Sequence, residues 1–284
     1  MSLRLLAVLV LLLASGAQAH DGRLLATGGA SQLEGAAGGG IVPWAVLAGY
    51  GERGEWGADV FATRVETGDY RLDVAGVAAA YGNRIELSYA RQRFDLGTLA
   101  RDLRLPDNSL SQDVLGLKLR LAGDLIYDRL PQIALGLQHK RQRDFLVPSL
   151  VGVQRREDSE GYLAASRLIL GGAFGYNLLL NANLRYSRAN ELGLLGFGGD
   201  RRDRHSWLKE GSVAVLLDRH WAVGIEYREK PDNLSFAGES DWADLFVGYF
   251  PNKNLALVLA YARLGEIATL DNQDGVYLSV QGSF

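Results

Sequence analysis

Hydrophobic and polar residues alternate one by one through most of this chain. Leu178, Leu180, Ala182, Leu184 and Tyr186 take turns with Asn177, Asn181, Asn183 and Arg185. From Leu115 to Leu121 leucine holds every second position, with Gly116, Lys118 and Arg120 between. Ile133, Leu135 and Leu137 are spaced by Ala134 and Gly136 and flanked by Gln132 and Gln138. Trp221, Val223, Ile225 and Tyr227 alternate with Ala222, Gly224, Glu226 and Arg228. Neighbouring side chains on a strand point to opposite faces, so this period predicts strands with one apolar face and one small or polar face. The runs are about ten residues long, as a tilted membrane strand requires, whereas soluble strands are mostly about five or six.

The connections alternate as well. Tight turns are expected near Gly51–Glu55, Tyr81–Asn83, Gly123–Leu130, Gly171–Gly175, Asp218–His220 and Pro251–Lys253. Longer loops are expected at Arg93–Leu110, Arg141–Ser159, Arg188–Ser206, Glu229–Ser240 and Leu264–Asp274. Short periplasmic turns against long extracellular loops are the habit of outer-membrane barrels. Trp44, Tyr50, Trp56, Tyr89, Trp207, Trp221, Tyr227, Trp242 and Tyr261 fall toward strand ends, as interfacial girdles would. The fold expected is all-β, a single antiparallel up-and-down transmembrane β-barrel. A Gly-rich segment at Leu24–Leu33 and a strand beginning at Ile41 bring the count to about fourteen, with twelve as the alternative.

Both chain ends agree with export. Arg4, an apolar run from Leu5 to Ala14, and Ala17 and Ala19 in an A-x-A arrangement predict a cleaved signal peptide at 1–19 and a barrel domain at 20–284. His20 would then lead the mature chain, with no further histidine nearby to complete a copper site. The last strand alternates Val276, Leu278 and Val280 with Tyr277, Ser279 and Gln281, and the chain stops on Phe284. A terminal strand ending in Phe resembles the signal read by the barrel-assembly machinery, so removing Phe284 is expected to impair assembly. There are no cysteines, and a closed barrel offers a substitute source of stability because every backbone group is paired around the ring. A formal charge of −3 gives no reason to expect nucleic acid.

The stretch LLATGGASQLEGAAGGGIVPWAVLAGYG, with YRLDVAGVAA, NRIELSYARQRFDLG and LGLKLRLAGD after it, resembles a proteobacterial outer-membrane family known as a domain of unknown function. The resemblance covers nearly the whole mature chain and implies an outer-membrane barrel. It transfers no site residues.

Enzyme motifs are absent: there is no H-E-x-x-H, G-x-S-x-G or P-loop. Asp271–Gly275 puts Leu270 where a calcium loop needs its first carboxylate, so it reads as a turn. A barrel hydrolase acting on lipid or peptide would need a histidine in contact with a nucleophile. The candidates are His205 beside Ser206, and His139 near a strand end. No catalytic residue, cofactor or metal is assigned. Alternation instead assigns a polar lumen: Arg71, Asp73, Glu86, Lys118, Arg120, Gln138, Lys140, Asn177, Asn181, Asn183, Arg185, Glu226, Arg228, Asp244, Ser279 and Gln281. Its basic surplus predicts a porin-like channel passing a small solute with mild anion preference. The alternatives are a non-conducting structural barrel whose inward charges pair, and the hydrolase. No plug is expected, because few mature residues precede the first strand, so any constriction falls to the loops. LVPSLVGV (146–153) and LGLLGFGG (192–199) are too apolar to lie wholly in water. Arg141, Arg143, Arg155, Arg156, Arg201, Arg202 and Arg204 suit lipopolysaccharide phosphates, with a solvated charge run as the plainer reading. Outer-membrane lipid is the remaining expected partner.

Overall fold

The computed structural model describes residues 25–26, 28–102, 104–105 and 108–284. The expected signal peptide and His20 lie outside them. Twelve long antiparallel strands close into one barrel: β3 (Trp56–Thr67), β4 (Arg71–Tyr81), β5 (Ile85–Asp95), β6 (Ser109–Ala122), β7 (Gln132–Gln142), β8 (Glu157–Ala173), β9 (Tyr176–Ser187), β10 (Ser206–Leu216), β11 (Trp221–Arg228), β12 (Trp242–Asn252), β13 (Leu255–Arg263) and β14 (Asp274–Ser283). Each pairs with its neighbours in sequence, and β14 closes onto β3 from Gly275↔Thr67 to Ser283↔Asp59. Phe284 extends that seam, its N–H donating to Ala58 O at 2.8 Å and its carbonyl accepting from Ala58 N at 3.0 Å. The twelve-strand alternative is therefore the one adopted.

Alternation sets the two faces. On β14, Tyr277 is 1% exposed while Leu278 beside it is 56% exposed. Leu135, Leu180 and Ile225 stand outward in the same way, and Trp56, Tyr89, Trp207, Trp221, Tyr227 and Tyr261 are on the outside. The connections after β4, β6, β8, β10 and β12 and both barrel termini share one end, and the longer loops after β5, β7, β9, β11 and β13 share the other with the short 68–70 turn after β3.

The two segments expected to complete fourteen strands do not join the wall. Residues 28–51 are buried throughout, and hydrogen bonds from inward side chains of the wall hold them inside the barrel. Within them a small hairpin pairs β1 (Ala30–Ser31) with β2 (Ala37–Gly38). This N-terminal plug corrects the expectation that no plug exists. A wall strand alternates because lipid touches one face and lumen the other. Ile41–Val42 and Ala45–Ala48 are unbroken apolar runs, suited to a segment enclosed on every side. Trp44 and Tyr50 belong to this segment, and Trp242 points inward at 3% exposure, so these three are not girdle residues.

Candidate functional site in the barrel lumen

The inward face of the barrel divides into two arcs. The polar arc spans β5 to β11 and presents Glu86, Gln92, Gln112, Lys118, Gln132, Gln138, Lys140, Glu160, Ser166, Asn181, Asn183, Arg185, Glu210, Ser212, Glu226 and Arg228, all buried. The apolar arc runs through β12, β13, β14, β3 and β4 and presents mainly Trp242, Phe246, Phe250, Val258, Tyr277, Phe61, Val65, Leu72 and Val74. Among predicted lumen residues, Asp244 falls on the apolar arc, and neither of its carboxylate oxygens has a hydrogen-bond partner among the described residues. Arg120 is half-buried at the tight-turn mouth, paired with Asp124 at 3.1 Å.

Arg71 and Asp73 are corrections. Inward positions on β4 belong to Leu72, Val74, Gly76, Ala78 and Ala80, so both charged residues lie on the outer face near the long-loop end. There Arg71 pairs with Asp95 at 2.9 Å and Asp73 with Arg64 at 2.6 Å. The rule that polar residues face the lumen assumes a lumen full of water. On this arc the lumen holds protein, so the apolar set turns inward.

The polar arc grips the plug largely through the plug's backbone. Glu86 accepts from Ala48 N at 2.8 Å and Ala37 N at 3.3 Å, while Lys118 donates to the carbonyls of Ala37 and Val46, each at 2.8 Å. Glu226 accepts from Gly40 N at 2.6 Å and Ile41 N at 2.8 Å. A side chain at Gly39 would put its Cβ 2.0 Å from Glu226 Oε1, so the close approach needs glycine there. Ser166 accepts from Ala45 N at 2.8 Å, Gln132 donates to Ala45 O at 2.6 Å and Asn183 to Pro43 O at 2.6 Å. These bonds answer the enclosed backbone groups, which would otherwise be costly to bury.

One plug side chain enters the arc as a charge. Glu34 sits at the tip of the β1–β2 hairpin, in a turn where Gly35 N donates to Gln32 O at 2.8 Å. Arg228 takes its carboxylate in a fork, at 2.8 and 3.0 Å, with Lys140 in direct contact and Arg185 at 3.5 Å. Glu160 and Glu210 of the wall complete the belt, Glu160 at 2.7 Å from Lys140 and Glu210 at 2.5 Å from Arg185. Three cations thus meet three carboxylates, and only Glu34 comes from the plug. Glu160 and Glu210 were readable in the alternation of EGYLAAS and LKEGS. Glu34 had no such signal, because its place follows from how the N-terminal segment threads the lumen.

The long-loop end is closed separately. Residues 189–199 fold inward, burying Leu192, Leu194, Leu195 and Phe197, and Leu192 O accepts from Gln112 at 3.1 Å and Lys140 at 3.1 Å. LGLLGFGG thus lies inside the barrel mouth, whereas LVPSLVGV buries Val147 and Val153 and exposes Leu146 and Leu150. Glu191, at a left-handed φ of 43°, meets Lys230 at 2.7 Å, and Glu239 accepts from Glu191 N at 3.0 Å. Burial, then the charge of Glu191, pushes the Glu239 carboxyl up to about 8. Burial raises that of Glu191 as well. An enclosed apolar cavity of about 20 Å³ lies between cap and plug, against Leu33, Ile41, Leu72, Phe94, Leu194 and Trp242.

Outside the lumen, Arg143 pairs with Asp113, Arg155 with Asp203 and Arg201 with Asp232. His139 Nδ1 lies 3.0 Å from Ser159 Oγ on the outer face. His205 Nε2 approaches Asp158 at 3.2 Å and Ser159 O at 3.2 Å, while the Ser206 hydroxyl accepts from Arg202 at 3.2 Å.

Closure, strand length and the two faces define a porin-like β-barrel of the outer-membrane type. The chain matches the family described as "Protein of unknown function (DUF3034)" over residues 27–281, and it belongs to that family. No curated protein matches it in sequence. Among solved structures it resembles the KdgM porin at TM-score 0.51 and 10% identity, over 80% of this chain and 99% of that one. KdgM in complex with disordered oligogalacturonate gives the same values. The NanC porin follows at TM-score 0.47 and 10% identity, over 80% and 98%. The outer membrane phospholipase A from Escherichia coli gives 0.37 and 10%, over 81% and 91%. Likeness at such identity is likeness of fold.

Proposed function

We propose that the chain is a plugged channel of the outer membrane, passing a small solute with mild anion preference when the N-terminal segment leaves its seat. The observation that carries this reading is how the plug is held. Its backbone is bonded by Glu86, Lys118, Gln132, Ser166, Asn183 and Glu226, groups that water or a hydrated solute satisfies equally well. With the plug out of its seat, the same side chains line a polar, water-compatible face.

The anion preference now rests on a different basis. Inward wall charges are Lys118, Arg120, Lys140, Arg185 and Arg228 against Asp59, Glu86, Glu160, Glu210, Glu226 and Asp244, so the wall as a whole has no basic surplus. The belt does, once Glu34 departs: Lys140, Arg185 and Arg228 then face Glu160 and Glu210 alone. A constriction biases ion entry more than a distant rim does. Lipid around the barrel, lipopolysaccharide at the loop arginines and assembly through Phe284 complete the proposal.

Planar-bilayer recording tests it. At Gly38 a Cβ would fall 2.5 Å from Val42 O, so Gly38→Val disrupts the plug's own fold and leaves the wall untouched. The intact chain should be closed with rare openings, and Gly38→Val should open for long periods with anions favoured. A folded Gly38→Val barrel that never conducts would favour a structural barrel, the reading that the plug and the inward-folded cap together support. The hydrolase reading has the His139–Ser159 contact in its favour. No carboxylate hydrogen-bonds His139 among the described residues, and both residues sit within paired strands, so the orienting group of a triad is missing.

A further inference from the structure

We infer that Lys140, Arg185 and Arg228 form a binding site for the carboxylate of a small organic solute, and that Glu34 occupies it in the closed barrel as a built-in substitute. This rests on the channel reading above and names the class of solute that such a channel admits.

The site is built by the wall and completed by something else. Lys140, Arg185 and Arg228 are each at most 3% exposed, and the wall supplies only Glu160 and Glu210 to balance them. One negative charge is missing from the wall's share of the belt. Glu34 provides it, held two-pronged by Arg228 at 2.8 and 3.0 Å, in the planar fork geometry with which arginine recognises carboxylates. Gln32 donates to the same carboxylate at 2.6 Å and aims it from the hairpin tip.

Retention alone does not call for a charge at this position, where apolar packing could serve. Buried ion pairs are often no more stabilising than apolar packing of the same shape. The apolar arc packs the other side of the plug mainly with hydrocarbon, Asp59 adding one bond from Gly49 N at 3.0 Å. What the belt adds is specificity for a carboxylate, on a group that is tethered and can leave. The Glu34 side chain ends as a propionate. A solute carboxylate arriving in the belt competes with it, and when Glu34 yields, the hairpin loses its contacts to Arg228, Lys140 and Arg185 together. A tethered competitor acts at an effective concentration on the order of millimolar, so opening by solute is expected in roughly that range.

The test uses the full chain with Ser31→Cys as reporter. Ser31 is fully buried in the plug, and the chain has no other cysteine to react. Heat-modifiable migration confirms that each variant is a folded barrel, since residues 31 and 34 lie outside the wall ladder. Propionate at roughly millimolar concentration should speed thiol labelling severalfold over chloride at equal ionic strength, and propionamide should not. In Glu34→Gln the thiol should label quickly without propionate. Propionate should then lower that variant's chloride current about twofold by occupying the empty belt. If Glu34→Gln labels quickly but propionate acts no better than chloride in either assay, the belt is a latch only, and this inference falls while the channel reading stands. The inference also falls if phosphate outdoes propionate in both assays. A Glu34→Gln barrel that stays unlabelled, with Gly38→Val non-conducting, would overturn the channel reading as well.

Discussion

The two arcs of the lumen hold the same plug by opposite means. Along β5–β11, buried carboxylates, amides, lysines and arginines reach its backbone and its one inward carboxylate. Along β12–β14, β3 and β4, Phe246, Val258, Tyr277, Val65 and Leu72 meet it with hydrocarbon and aromatic surface. Polar contacts are directional, so they set where the plug sits. Apolar contacts exclude water and tolerate sliding. The division is not absolute, since Asp59 on β3 accepts from Gly49 N of the plug at 3.0 Å.

The sharpest way to break this asymmetry is at Arg185. Its guanidinium touches Glu210, Glu160 and Glu34 and lies 5.0 Å over the Tyr162 ring. Arg185→Met leaves three carboxylates with two cations in a buried belt. Removing one partner from a buried ionic cluster costs about 3–5 kcal/mol. Expected is an unseated plug with an intact wall, seen as fast thiol labelling at Ser31→Cys with unchanged heat-modifiable migration. Slow labelling would mean that the apolar arc alone retains the plug.

A second substitution pair separates lumen from lipid within one strand. Leu180 is outward and Asn181 inward on β9. Leu180→Arg places a charge against hydrocarbon and should cost about 2–4 kcal/mol if that position is near the midplane. Asn181→Arg enters the polar arc beside Pro43 O, which already accepts from Asn183, and takes from Ser166 the oxygen it donates to, so it should disturb plug seating more than barrel stability. Refolding titrations of both variants into lipid vesicles check the contrast. Equal losses on both faces would contradict the assignment of faces.

The same contrast explains what could be read from the chain and what could not. Alternation on β6, β7, β9 and β11 located Lys118, Lys140, Asn181, Asn183, Arg185, Glu226 and Arg228 inside, because the polar arc follows the polar-inward rule. On β4 the rule reversed, and Arg71 and Asp73 were placed on the wrong face. The plug escaped for a related reason. A segment surrounded by protein on all sides has no period, and GGASQLEGAAGGG followed by IVPWAVLA reads as a poor strand rather than as a lumen filler. Glu34 could not have been found without knowing which wall residues surround it, and these come from β7, β9 and β11.

The smallest expected effect lies where the two arcs meet, in the loop from β11 to β12. Lys230 follows the last strand of the polar arc, Glu239 precedes the first strand of the apolar arc, and Glu191 reaches them from the inward-folded cap. One lysine serves two buried carboxylates, so one of the two is best kept neutral. Burial and the neighbouring charge raise the Glu239 carboxyl from 4.5 to about 8 in the folded cap. A group whose folded value is raised binds its proton more tightly folded than open. Its stabilising contribution is complete below the open-state value and is lost as pH rises through about 8. Gly38→Val isolates this cap, because the plug no longer bars the lumen. Its current should be lowest in mild acid and rise as pH passes through about 8. Glu239→Gln imitates the protonated form and should keep the current low across the same interval. A pH response that survives Glu239→Gln unchanged would assign the closure to other groups and leave the junction of the arcs without a titrating role.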